Sequence, residues 1–317
     1  MRFEVIGAGA IGLLFSGKLA LAGHQVRLWT RTSEQADLIN EQGIYIQQQG
    51  SSGHVIRDGI VATGWTIYNR RNFLDEVPAP WIMLTVKQRH INEEIIEGLR
   101  CLLREDSRLL CFQNGMGHIE RLKEELDAQI IAALTTEGAK RMDGRSVQAT
   151  TGGQTRIGTE TRIDNHQQYD QLEKLSSQLS GAGLLTTVSK DIVREMYRKL
   201  LINATINPLT AIWRIPNGEL LSSDHRRRML HAVIQEGQAV YDALGISYDQ
   251  DIAEQIEQVC RSTSNNISSM LTDVLGGNET EVDYINGYLV KLALKSNMAV
   301  TIHQLLYALV KGNGTNS

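Results

Sequence analysis

The amino-acid sequence predicts an α/β fold: a doubly wound parallel sheet followed by an all-α C-terminal domain. Three observations predict it. Short β-rich runs alternate with amphipathic stretches through the first half of the chain. A glycine-rich turn, Gly7-Ala-Gly-Ala-Ile-Gly12, stands where the first strand should meet the first helix. Beyond about residue 188 the strand signals stop and long helical patterns follow.

The elements follow in order. Phe3 to Ile6 reads as a strand, Ala10 to Ala22 as a helix and Gln25 to Thr30 as a second strand. Ser33 to Gln42 reads as a helix. Ile44 to Ala62 reads as a β-hairpin turning at Gly50-Ser-Ser-Gly53. Trp81 to Val86 is almost continuously apolar, as a strand inside a parallel sheet should be. Ile91 to Leu103 is helical, Leu109 to Phe112 a strand, Ile119 to Leu126 a helix and Ile130 to Leu134 a further strand. Helical patterns cover 191–206, 223–243, 249–262 and 280–296. The division near Leu184 to Ser189 gives a Rossmann-type nucleotide-binding domain over 1–188 and a helical substrate and catalytic domain over 189–317. The tail from Gly312 to Ser317 should fray.

At 317 residues the chain is long enough for two ordinary domains, each with its own core. With 42% hydrophobic and 21% charged residues and a net charge of -4, nothing global points to nucleic acid or to an anionic membrane. Cys101, Cys111 and Cys260 form no CxxC pair, which fits free thiols in a reducing cytoplasm. Met1-Arg2-Phe3 runs straight into a strand, so no signal peptide is expected, and no apolar run approaches membrane-spanning length. The histidines show no metal-ligand spacing, and His225-Arg-Arg-Arg228 reads as a solvated helix face.

The glycine turn has the strand-turn-helix context that dinucleotide binding requires. Gly7 makes the tight turn, Gly9 lets backbone approach a pyrophosphate at the helix N-terminus, and Gly12 permits close packing of helix on strand. The second strand ends Leu28-Trp-Thr-Arg-Thr32. No acid stands there for a ribose 2′-hydroxyl, whereas Arg31 is available for a 2′-phosphate, which favours NADP over NAD. Lys87 and Asn114 close two further strands, at the carboxyl edge where doubly wound sheets bind ligands. Asn114-Gly115 also reads as a plain turn.

Lys199, Asn203 and Asn207 stand four residues apart in an otherwise apolar run, so on a helix they form one stripe. Leu200, Leu201, Ile202, Ala204 and Ile206 cover the other faces. Buried polar groups are costly without partners, so either other protein groups satisfy this stripe or a polar ligand does. Pro208 disfavours helix at Asn207, so the stripe is expected to end where the helix ends. Taken alone, Asn217 reads as a turn residue, Ser269 as helix surface and Glu281 as a first-turn acid.

Five blocks, in order along nearly the whole chain, resemble the ketopantoate reductase (2-dehydropantoate 2-reductase) family. They are Gly7–Gly12; Thr85-Val-Lys87; Gln113-Asn-Gly-Met-Gly117; Lys199 to Trp213 continuing into Asn217-Gly-Glu-Leu220; and Asn266 to Asp273 followed by Thr280-Glu-Val-Asp-Tyr-Ile-Asn-Gly287. The last two are specific, while the glycine motif is shared with many nucleotide-binding proteins. The resemblance implies NADPH-dependent reduction of ketopantoate to (R)-pantoate in pantothenate and coenzyme A biosynthesis, in the cytoplasm.

By the same resemblance, Lys199 is the general acid, and Asn203, Asn207, Asn217 and Ser269 hold the substrate's oxygens. Asn114 sits between cofactor and substrate. Glu281 lies near both substrate and nicotinamide ribose, and counts with Lys199 as catalytic. Gly7, Ala8, Gly9, Ala10, Ile11 and Gly12 carry the pyrophosphate. Arg31 and Lys87 take the adenosine 2′-phosphate, and Ala139 in the turn Glu137-Gly-Ala139 gives a backbone contact. The active site is expected in the cleft between the domains.

Two departures stand out: His90 where some members have Gln, and Asn278 where many have a basic residue. Rival readings are a paralogous NADPH-dependent reductase of another 2-oxo acid and a non-catalytic NADPH-binding regulator. The regulator has no need of Lys199, Asn203 and Asn207 together. No metal, nucleic-acid or membrane partner is expected, and a homodimer is the assembly to test for.

Overall fold

The computed structural model describes residues 1–48, 52–66, 79–150, 152–160 and 166–313. The chain divides into two compact units, Met1–Gln113 with His118–Ile192, and Asn114–Gly117 with Val193–Ser317.

The first unit is α/β. Its elements are β1 (Arg2–Ile6), α1 (Ala10–Leu21), β2 (Gln25–Thr30), α2 (Ser33–Gln42), β3 (Ile44–Gln48), β4 (His54–Ile56), β5 (Ile60–Gly64), β6 (Trp81–Leu84), α3 (Glu93–Leu102), β7 (Arg108–Cys111), α4 (His118–Glu125), β8 (Gln129–Thr135), β9 (Ala139–Arg141), β10 (Ser146–Ala149), β11 (Thr155–Gly158), α5 (His166–Gly181) and β12 (Thr186–Val188). An eight-stranded sheet has the order β12-β11-β8-β7-β6-β1-β2-β5. Its pairings are parallel except that of β11 with β8. The strand order reverses at β1, between β2 and β6, which makes that strand's carboxyl end the switch point of a doubly wound sheet.

Apolar side chains on both faces explain the continuous strands: Phe3, Val5, Leu28, Met83, Leu110 and Ile131 are buried on one face, and Ile6, Ile82, Leu84 and Leu109 on the other. Glu4 breaks the apolar run of β1 yet stays inside. The Trp29 indole N–H donates to its Oε2 at 2.6 Å, and Arg27 Nη1 lies 3.4 Å from Oε1.

A second sheet, β4-β3-β10-β9, packs against α1. It corrects the expected hairpin over 44–62. The hairpin is only β3 with β4, Ile44 opposite Ile56, and β5 leaves to pair with β2 in the main sheet. A turn with positive φ at Gly59 redirects the chain, and Asn40 of α2 then clamps both backbone groups of Ala62, at 2.8 and 2.9 Å. Asn40 thereby covers the hydrogen-bonding edge of the sheet's last strand. Gly50 and Ser51 of the expected turn lie outside the described residues, as does the tail beyond residue 313.

The regular elements of the second unit, among its described residues, are all helices: α6 (Ile192–Trp213), α7 (Asp224–Leu244), α8 (Ile252–Ser262), α9 (Ser269–Leu275), α10 (Asn286–Lys295) and α11 (Thr301–Gly312), with 3-10 turns at Asn217–Leu221 and Val282–Tyr284. Among the described residues no helix is long and apolar enough to cross a membrane. The helix expected over 280–296 is split, its first turn being 3-10.

The expected stop at Asn207 is also corrected: α6 runs on to Trp213 with Pro208 inside it. Proline has no N–H to give the carbonyl four residues back, which here is Ala204. The buried Asn286 side chain supplies the missing donor, its Nδ2 lying 2.8 Å from Ala204 O. That side-chain bond lets tertiary structure override the local preference.

Candidate active site

In the first unit the glycine turn leads from β1 into α1 at the switch point. Gly7 has φ +109°, and a Cβ there would lie 2.7 Å from Val86 Cγ1. Gly12 faces the turn's own backbone, since a Cβ would lie 1.8 Å from Gly7 O. Thr85 braces the loop, its hydroxyl reaching Gly7 O at 2.9 Å and Ile6 O at 3.0 Å.

Gly9 differs. A Cβ there would meet nothing within 4 Å, and no side chain caps the helix it opens. Open space before uncapped first-turn amides is a fit for a pyrophosphate. Ala8, Ala10 and Ile11 complete this turn.

Arg31 is exposed, one residue past the end of β2, and Lys87 is partly exposed, three residues past the end of β6. These strands flank β1 on either side, so both cations belong to the carboxyl edge that carries the glycine turn. Gln113 ties β7 to β6, donating to Leu84 O at 2.8 Å and Val86 O at 2.9 Å. Ala139 pairs with Ala149 in the sheet packed on α1. His90 ends a short 3-10 turn and is exposed.

In the second unit α6 carries Lys199, Asn203 and Asn207 on successive turns. Burial draws the Lys199 ammonium down to about 8, and the Glu281 carboxylate acts in the opposite sense. Glu281 is itself buried. Its Oε2 accepts from Asn114 Nδ2 at 3.2 Å. Asn114 is held there by the following turn: Met116 N–H donates to Tyr284 O at 3.0 Å, and Gly115, at φ +78°, could carry no Cβ because it would lie 2.3 Å from the same oxygen.

The Thr210 hydroxyl, one turn beyond Asn207, lies within hydrogen-bond reach of Ile206 O (2.8 Å), Asn207 O (3.0 Å) and Ser268 Oγ (2.8 Å). Ser268 caps α9, accepting from Leu271 N–H at 3.1 Å, which sets Ser269 as the exposed first residue of that helix. Asn217 is buried, and its N–H donates to Asn266 O at 2.9 Å. Asn278 is exposed, beyond α9.

Two groups therefore form in this unit. Lys199, Glu281 and Asn114 are coupled, and Asn207, Ser269 and Asn217 are tied through Thr210, Ser268 and Asn266. Asn203 lies between the two groups on α6. No side-chain hydrogen bond joins Asn203 or Asn207 to the described residues, which leaves these two carboxamides available to a polar ligand, whereas Lys199 has Glu281 beside it. Sequence reasoning overlooked the supporting residues Thr85, Gln113, Thr210 and Ser268. Thr85 and Gln113 sat within motifs already in view, whereas the Thr210–Ser268 pair spans 58 residues and leaves no local pattern.

Chemically, the second unit offers an amine of lowered basicity beside a carboxylate and a row of carboxamides. That combination can protonate a carbonyl oxygen and hold the other oxygens of an oxo acid.

Residues 3–161 match the family described as "Ketopantoate reductase PanE/ApbA", and residues 191–314 match "Ketopantoate reductase PanE/ApbA C terminal". The 2-dehydropantoate 2-reductase of Salmonella typhi is 32% identical over 315 residues, covering 98% of this chain and 94% of that protein. Among solved structures, a probable 2-dehydropantoate 2-reductase from Bacillus subtilis is 29% identical, with a TM-score of 0.80 over 99% of this chain and 100% of that one. A D-mandelate dehydrogenase solved with NADH and anilino(oxo)acetate shares the fold, with a TM-score of 0.88 at 23% identity over 99% of this chain and 98% of that one.

Proposed function

The chain belongs to the ketopantoate reductase family, and from that premise we propose that it reduces 2-dehydropantoate to (R)-pantoate with NADPH, a step toward coenzyme A. The observation that carries this reading is the α6 stripe, with Lys199 coupled to Glu281 and Glu281 bonded to Asn114.

The glycine turn Gly7–Gly12 fits the cofactor's pyrophosphate through the open space at Gly9, and the cofactor, when bound, would supply the hydride for reduction of the oxo acid. Arg31 and Lys87, at the same sheet edge, are assigned to the 2′-phosphate. Arg31 stands where an NAD enzyme would need an acid, so NADPH is the preferred cofactor. Ala139 is assigned a backbone contact to the cofactor.

The substrate's carbonyl oxygen gains negative charge on reduction and needs a proton donor beside it. Lys199 gives its Nζ proton to that oxygen. Its lowered pKa of about 8 brings the acid close to working pH, where general acid catalysis is most effective. Glu281 keeps Lys199 charged before transfer and holds Asn114 in place. Asn203 orients the carbonyl, while Asn207, Asn217 and Ser269 hold the remaining oxygens. Small 2-oxo acids are thus the substrate class, with nucleotide-binding roles in the first unit and substrate roles in the second.

The test is NADPH oxidation by the purified protein against a panel of 2-oxo acids that includes ketopantoate. Preference for ketopantoate supports the proposal. Preference for another 2-oxo acid would make the chain a paralogue, and no turnover with any of them would contradict the enzyme reading.

A further inference from the structure

Successive carbonyls of the glycine turn are each held by a donor. Gly7 O accepts from the Thr85 hydroxyl at 2.9 Å, Ala8 O from Gln35 Nε2 at 3.2 Å, and Gly9 O from Leu13 N–H at 2.9 Å. Thr85 lies one residue past β6 and Leu13 belongs to α1 itself. The tie on Ala8 comes from elsewhere, a single half-buried side chain of α2.

The polarity of the Gln35 amide is fixed. Its Nε2 also donates to Gly144 O at 2.7 Å, in the turn between β9 and β10. Both neighbours are carbonyl oxygens, which only accept, so the NH₂ must face them. Reversing the amide would set Oε1 against two acceptors. The surroundings are braced as well. Thr32 caps α2 by accepting from Gln35 N–H at 3.3 Å. Asp143 Oδ1 accepts from Arg145 N–H at 2.8 Å and Ser146 N–H at 2.7 Å, which shapes the β9–β10 turn, and a Cβ on Gly144 would lie 2.9 Å from Leu38 Cδ2 of α2.

A trans peptide is planar, with its C=O and N–H pointing in opposite directions. Drawing Ala8 O toward Gln35 therefore aims the Gly9 N–H away from α2. That N–H meets no acceptor among the described residues. With the peptide turned over, a carbonyl oxygen would take its place and repel an anion. We infer that Gln35 is a positioning residue for the cofactor: it locks the peptide between Ala8 and Gly9 so that the glycine turn offers a diphosphate ester an N–H rather than a carbonyl, and it ties that lock to the β9–β10 turn. The inference rests on the assignment of the cofactor's pyrophosphate to this turn and names a residue outside the motif that makes it fit.

The experiment compares wild type, Gln35→Met and Gln35→Lys, each with a melting curve. Methionine keeps the length of the side chain without a donor, and lysine keeps donors for both carbonyls. Calorimetric titration gives the Kd for NADPH and for adenosine 2′-monophosphate, which has no phosphate on its 5′ side and cannot reach a pyrophosphate site. Gln35→Met should bind NADPH at least about fivefold more weakly, as expected when one charge-assisted hydrogen bond falls out of line. It should bind adenosine 2′-monophosphate within about twofold of wild type, and its kcat on ketopantoate should stay within about twofold once NADPH saturates. Gln35→Lys should bind NADPH at least as tightly as wild type. A merely structural role would weaken both ligands together and leave their ratio unmoved.

NADPH affinity within about twofold of wild type in folded Gln35→Met overturns the inference. Equal weakening of the two ligands overturns it too, as does a Gln35→Lys protein as weak as Gln35→Met. Should Gln35→Met not fold, wild type decides by NMR: the Gly9 amide proton should move downfield when NADPH binds, and an unmoved Gly9 amide in the bound protein overturns the inference. Wild type that binds no NADPH contradicts the cofactor assignment, and the inference with it. Wild type that binds NADPH but reduces no 2-oxo acid contradicts the reductase reading alone, and the binding comparison still decides the role of Gln35.

Discussion

Lys199 holds its proton less tightly than an exposed lysine because burial disfavours the ammonium, and the Glu281 carboxylate limits that effect. In the reducing direction the acid must carry its proton. With a pKa of about 8, Lys199 is mostly charged below that pH and progressively neutral above it. The kcat/KM for reduction should therefore be flat at neutral pH and fall about tenfold per pH unit above the pKa. A profile flat well into the alkaline range would remove Lys199 from the role of acid. Two other residue-scale outcomes follow from the site. Arg31→Asp should lose NADPH affinity and move preference toward NADH, checked by the KM for each cofactor. Asn207→Ala should raise KM for the oxo acid with little change in cofactor affinity, a loss of ~1–3 kcal/mol in substrate binding.

At the scale of elements, α6 depends on a side chain from elsewhere. Pro208 withdraws the donor due to Ala204 O, and Asn286 restores one while also pairing with the buried His303 Nδ1 at 3.1 Å. Asn286→Ala should destabilise the fold by ~1–3 kcal/mol, because it strands buried polar groups. In a Pro208→Ala background the helix has its own N–H again, so the same substitution should cost less. Additive effects in that double-mutant cycle, read by denaturant unfolding, would contradict the substitute bond. The sequence pointed the wrong way at Pro208 because the rule for proline is local and Asn286 lies 82 positions from Ala204 O. Strands β9 to β12 escaped notice for another reason. Each is three or four residues long, too short for a periodic pattern to emerge. The elements from β1 to α2 were legible because a continuous apolar strand, a glycine turn and a Thr32 N-cap each leave a local mark.

Across the whole molecule, the strand order with its reversal at β1 is read from the structure; what the alternation of patterns made legible was a doubly wound sheet and the change to a helical second unit. The transfer of Asn114–Gly117 to the second unit was not, because it follows from contacts to Tyr284 far along the chain. The candidate site divides in the same way. The residue types at Gly7–Gly12, Arg31 and the Lys199 stripe could be read from spacing. The roles of Asn217, Ser269 and Glu281 came only through resemblance, since each alone resembles an ordinary turn or cap residue. The central claim is that an ammonium on α6 protonates the substrate's carbonyl oxygen. The most direct test is turnover of ketopantoate by Lys199→Ala, with NADPH binding and melting measured on the same preparation. The account predicts a folded protein that binds NADPH near normally and loses at least ~100-fold in kcat, the usual worth of a positioned general acid. A folded Lys199→Ala protein with near-normal kcat would contradict it.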